Sequence, residues 1–73
     1  MEILEKKFIV NFGIKVRKLR TDKNISQEML ANDANIPINQ IGRIERAEIN
    51  TSIITIYKIA LALELDIRDL FDF

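Results

Sequence analysis

Seventy-three residues make one small domain, close to the lower size at which a chain buries a self-sufficient core. With no cysteine and no histidine, disulfide staples and zinc-finger ligand sets are excluded, so regular helix packing or a second copy must supply the stability. Formal charge is zero, which argues against a general polyanion binder, yet residues 1–25 carry seven Lys/Arg against three Asp/Glu and each later third is net −2.

A dipolar chain of this kind can still turn one basic face toward phosphate. No uncharged run is long enough to span a bilayer. The opening MEILEKKFIV starts acidic and has no apolar signal core, so a soluble, cytoplasmic protein is expected.

Apolar residues recur at helical spacing throughout, and strand-like alternation is weak. Phe8, Phe12, Val16 and Leu19 share a stripe, which predicts a first helix from about Leu4 to Asp22 with Lys7, Lys15, Lys18 and Arg20 on its polar side. The cluster Asp22-Lys23-Asn24 reads as a turn. Ser26 before QEMLANDA predicts an N-cap and a second helix, with Glu28 in the first turn and Leu30, Ala31 and Ala34 inward. Asn35 stands where that helix must stop, and asparagine tolerates the left-handed conformation.

A third helix is expected from about Pro37 to Arg46, because proline suits a helix start. Ile41 and Ile44 must face the core, which leaves Ile38, Asn39, Gly42, Arg43 and Arg46 on the opposite stripe. Ile38 is a large apolar side chain on a face that otherwise looks wet. Gly42 lowers helix propensity by about 1 kcal/mol relative to alanine, and clearance for a closely approaching surface explains it. Thr51 or Ser52 should cap a fourth helix, IITIYKIALAL, with Ile53, Ile56, Ile59, Ala60 and Leu63 inward. Asp66 should cap a short fifth helix that closes the bundle with Ile67, Leu70 and Phe71.

Two short helices joined by a tight turn form the helix-turn-helix arrangement. Counted from Gln27, the fifth place is Ala31, the ninth Asn35, the fifteenth Ile41 and the eighteenth Ile44. A small residue is needed where the helices cross, a turn former at the ninth place, and two isoleucines fill the wedge between them. On these residues SQEMLANDANIPINQIGRIERAEINTSIITIYKIALAL resembles the Xre/Cro/phage-repressor family. IGRIER followed by Asn-Thr-Ser is particularly similar to the controller proteins of restriction-modification systems. The resemblance spans roughly Phe12 to Phe71.

It implies an all-α, lambda-repressor-like DNA-binding domain, a compact five-helix bundle over residues 1–73. Within it lie an N-terminal arm at about 1–5, the helix-turn-helix at 26–46 and C-terminal helices at 52–72. By the same resemblance Ile38, Asn39 and Arg43 match positions that reach base edges, where arginine pairs with guanine, asparagine with adenine, and an apolar group packs on a thymine methyl. Gln27, Gln40, Arg46, Asn50 and Thr51 match positions on the sugar-phosphate backbone, helped by main-chain N–H groups at helix starts. Arg20 and Glu45 match a structural pair that ties the first helix to the end of the third. Ala47 replaces the family's usual glycine, so the third helix is expected to end differently or to run slightly further.

So few readable side chains specify only a handful of base pairs, and a symmetric homodimer reading a palindromic operator solves that problem. Ile54, Tyr57, Phe71 and Phe73 exceed what a small core needs and are the expected dimer interface, joined by Ile9 or Ile3. A sequence-specific regulator of transcription is the expected function, as repressor or activator. An antitoxin or protein-interaction adaptor on the same fold is the alternative. Catalysis is not expected, since there is no histidine, cysteine or phosphate-cradling glycine loop. No cofactor, metal, membrane or small-molecule ligand is expected either.

Overall fold

Several helix starts in this chain are made by short polar side chains that satisfy otherwise unpaired main-chain N–H groups. Ser26 Oγ accepts from Met29 N at 3.0 Å, and Ser52 Oγ, rather than Thr51, accepts from Thr55 N at 3.2 Å. In the computed structural model, which describes residues 2–73, these caps open two of four α-helices. They are α1, Ile3–Asp22; α2, Gln27–Ala34; α3, Ile38–Glu45; and α4, Ile53–Ala62. The expected arm at residues 1–5 is, from Ile3 onward, the first turn of α1, where the Glu5 carboxylate accepts from Glu2 N at 3.2 Å. Pro37 lies one place before α3 with extended backbone, so the helix proper begins at Ile38.

The all-α class holds, but the count of five helices does not. Ile67–Phe71 is a 3-10 turn, its tighter winding visible in the Asp69 N to Asp66 O bond at 2.9 Å. Asp66 caps it as expected, accepting from Arg68 N at 2.8 Å. Five residues are too few for an α-helix to offset its costly first turn.

The four α-helices end alike. Asn24, Asn35, Ala47 and Glu64 follow them with φ between 56° and 60°, and none is glycine. This left-handed residue lets the next N–H fold back onto the helix: Ile36 N donates to Ala31 O at 3.0 Å and Glu48 N to Arg43 O at 2.8 Å. Ala47 therefore makes the turn that a glycine would make, and α3 does not run further.

Both glycines lie inside helices instead, at places of close approach. At Gly13 of α1, an added Cβ would collide with the Ile44 carbonyl oxygen and come 2.9 Å from that of Glu45. The bare Cα of Gly13 is what lets α1 lie directly on the end of α3. The core beneath is built from Phe12 and Val16 of α1, Leu30 and Ala31 of α2, and Ile41 and Ile44 of α3. Ile59, Ala60, Leu63 and Leu70 complete it. Ile53, expected inward, is 80% exposed because the first turn of α4 projects past this core. Phe8 and Phe71 are also partly exposed and pack on each other, with ring centroids 6.1 Å apart.

Candidate nucleic-acid interface

α2 and α3 are joined by only three residues, Asn35, Ile36 and Pro37. The left-handed Asn35 reverses the chain, and Ile36 fixes the exit by packing against the core. Buried Ala31 and Ala34 let the two helices approach, while Ile41 and Ile44 point down into the wedge. α3 is eight residues, about 12 Å long, and an α-helix with its side chains, about 10–12 Å across, fits the roughly 12 Å width of a DNA major groove.

The outward side of α3 carries Ile38, which is 49% exposed, with Asn39 and Arg43, both exposed. These three candidate base-reading side chains share one accessible face. Gln40 is half-buried on the flank, and exposed Asn50 and half-buried Thr51 lie on the connection to α4, beside Ile49.

Gly42 departs from the expectation. It is buried, and a Cβ there would meet Arg46 Nη1 at 2.8 Å and Gln27 Oε1 at 3.5 Å. Its lack of a side chain makes room for two protein side chains that lie over it, so clearance for an outside surface is not what it supplies. The helical wheel put position 42 on the outer stripe, but α2 leans over that part of α3.

Behind this exposed face lies a bidentate ion pair. Arg20 Nε donates to Glu45 Oε2 at 2.7 Å and Arg20 Nη2 to Glu45 Oε1 at 3.0 Å. Arg20 Nη1 also donates to the Ile25 carbonyl at 2.9 Å, which ties the α1–α2 turn to the same guanidinium. The hydrogen bond to Glu45 raises the Arg20 pKa above its ordinary value, against the opposing effect of burial. Both side chains are nearly buried and partnered, so that removing either one would leave the other's charge buried and unpaired. Gln27 joins them, its Nε2 donating to Glu45 Oε1 at 3.1 Å.

Three features escaped the sequence reading. Gly13 could have been found, because a glycine in mid-helix is as costly there as at Gly42. Lys6 Nζ donates to the Ala47 carbonyl at 2.9 Å across 41 residues, setting a cation on the C-terminal end of α3, where the helix dipole favours it. Arg46 is not free: its Nε and Nη2 donate to Glu48 Oε2 and Oε1 at 2.9 and 3.2 Å. No local signal announces either contact.

The four proposed dimer residues are all at least partly exposed. Ile54 and Tyr57 form with Leu61 an exposed apolar stripe along α4 at spacings of three and four. Phe73 lies against Phe8, with ring centroids 5.6 Å apart. No helix among the described residues is long and apolar enough to cross a membrane.

Comparison with known proteins agrees with this architecture. The helix-turn-helix family, HTH_3, matches residues 16–70. The control protein C.BamHI of Bacillus amyloliquefaciens is 44% identical over 63 residues, covering 85% of this chain and 78% of that protein. The restriction-modification controller protein C.AhdI of Aeromonas hydrophila superposes with a TM-score of 0.85 at 41% identity, over 86% of this chain and 96% of its own. The controller protein C.Esp1396I gives a TM-score of 0.82 at 28% identity, over 89% and 84% of the two chains. With the family match spanning most of its length, this chain belongs to the HTH_3 helix-turn-helix family, and like that family's controller proteins it is a DNA-binding regulator of transcription.

Proposed function

We propose that the chain is a cytoplasmic controller of a restriction-modification system that binds a palindromic operator as a homodimer, each protomer reading one half-site in the major groove. The observation that carries this reading is the division of α3. Its inner face is fixed by Ile41, Ile44 and the Arg20–Glu45 pair, while Ile38, Asn39 and Arg43 stand together on the accessible side. A rigid helix presenting a guanidinium, an amide and an apolar tip suits guanine, adenine and a thymine methyl. Gln27, Gln40, Arg46, Asn50 and Thr51 flank it, at the places from which phosphates on either side of the groove would be gripped. In this division residues 26–46 carry recognition, and residues 52–72 support it and supply the dimer surface.

The exposed stripe Ile54–Tyr57–Leu61 favours a second copy and is also what an adaptor or antitoxin would offer to a different protein. One experiment separates the two readings. Selection of bound sequences from a random duplex pool should return a palindrome, with affinity that falls steeply as salt rises. Arg43→Ala should lose about 1–3 kcal/mol of discrimination at one base pair per half-site. A pool that returns no consensus, or affinity indifferent to salt, would sink the regulator reading in favour of the adaptor.

A further inference from the structure

The Arg46 side chain lies back on its own helix. Its Nη1 occupies the space left by the bare Cα of Gly42, and its other two donors both point at the Glu48 carboxylate. Glu48 follows the left-handed Ala47, whose turn brings residue 48 back beside α3, with Glu48 N donating to Arg43 O at 2.8 Å. The carboxylate thus stands among cations: Arg46 first, then Arg43 and Lys6, which together hold it below the usual carboxylate range. Both partners of the pair are about half exposed, so water and other anions reach them.

An exposed carboxylate this close to a reading helix is unfavourable toward a polyanion, and its two hydrogen bonds occupy the Nε–Nη2 edge of the guanidinium, one of the edges through which arginine grips a phosphate. We propose that Glu48 is an internal competitor for Arg46. It holds the guanidinium parked over Gly42 in the free protein, and a DNA phosphate must displace it to engage Arg46. This rests on the DNA-binding reading above and adds to it a residue that sets the strength of binding without touching a base. Because the competition is for phosphate, it weakens binding to all duplexes alike and leaves the preferred sequence unchanged.

The test is a double-mutant cycle on DNA affinity, with Glu48→Gln, Arg46→Ala and the double variant, measured on the selected operator and on a random duplex at two salt concentrations. Glu48→Gln should tighten binding by up to about fivefold per protomer, the range of an exposed ion pair, equally on both duplexes. In the Arg46→Ala background the same substitution should give a clearly smaller gain, the part owed to charge repulsion alone. Thermal melting of each variant confirms that folding is intact, and Glu48→Ala repeats the measurement without the residual amide. An equal gain with and without Arg46 would overturn the proposal, since Glu48 would then only repel DNA as a charge. Absence of any gain would overturn it too. If the unsubstituted protein shows no salt-dependent binding to either duplex, the DNA-binding reading itself fails, which is a distinct result.

Discussion

Gly13→Ala should destabilise this domain although it places a better helix former in the middle of a 20-residue helix. In a solvated helix the change would stabilise by about 1 kcal/mol. At position 13 the new methyl would collide with the Ile44 carbonyl oxygen and sit 2.9 Å from the Glu45 oxygen and 3.1 Å from the Glu45 carbonyl carbon. All three are main-chain atoms, so no rotamer change relieves them, and α1 must move away from the end of α3. Overpacking a close contact costs about 1–3 kcal/mol, and a backbone-on-backbone clash belongs at or above the top of that range. After the gain in propensity the net loss is about 2 kcal/mol, or about 8–16 °C in melting temperature for a domain of this size.

Gly42→Ala is the matched control. There the nearest atom, at 2.8 Å, is the tip of the Arg46 side chain, which can swing aside, so stability should hold or rise by up to about 1 kcal/mol. Melting followed by circular dichroism at one fixed protein concentration compares the two, the concentration being fixed because a dimer's melting temperature depends on it. A Gly13→Ala protein that melts at or above the unsubstituted one would refute the close-approach argument. So would equal damage from both substitutions.

Glu45→Ala leaves the buried Arg20 guanidinium without its carboxylate and should cost about 3–5 kcal/mol, read as a lower urea midpoint with an unchanged slope. Ile54→Asp places a charge in the exposed stripe of α4; in sedimentation at about tens of micromolar, the unsubstituted chain should run as a dimer and the variant as a helical monomer. A monomeric unsubstituted chain would remove the dimer from the proposal. The Arg68 guanidinium, and then the Arg68 N–H, hold the Asp66 carboxyl down at about 2 from its ordinary 3.8. A folded-state pKa below the unfolded one means that the contribution is whole above pH 3.8 and disappears as pH falls through about 2. Carboxyl NMR titration should find that midpoint, and Arg68→Ala should move it upward.

The parts of the fold that were legible in the sequence are those whose causes are local. Ser26 and Asp66 announce helix starts because the capped N–H lies two or three residues on, and Asn35 announces a stop because its side chain tolerates a positive φ. The inward isoleucines of α3 follow from a period that needs no partner. What escaped depends on contacts across the chain. The partner of Gly13 lies 31 residues further on, at Ile44, and Lys6 reaches Ala47 across 41. Ala47 and Glu64 take left-handed turns that alanine and glutamate do not advertise. Gly42 stands out by its weak propensity, but a wheel drawn for α3 alone cannot show its reason, that Gln27 of α2 leans over it.

In the proposed division, holding and reading are separated in space but interleaved in sequence, and Glu45 shows how closely. Its Oε1 accepts from both Arg20 Nη2 and Gln27 Nε2, so one carboxylate joins α1, the start of α2 and the last residue of α3. The neighbouring position on either side belongs to the other task or the other face: Ile44 is buried in the core, and Arg46 is exposed beside Glu48. A substitution that loosens Glu45 should therefore change the angle at which Ile38, Asn39 and Arg43, the proposed reading residues, are presented, without altering any of the three. Rigid support behind a reading surface is what turns a few side chains into a geometry that one base sequence satisfies and another does not. It follows that loss of DNA binding in a variant of α3 identifies a reading residue only when its melting temperature is unchanged. By that criterion Arg43 and Glu45, two residues apart, should fall on opposite sides.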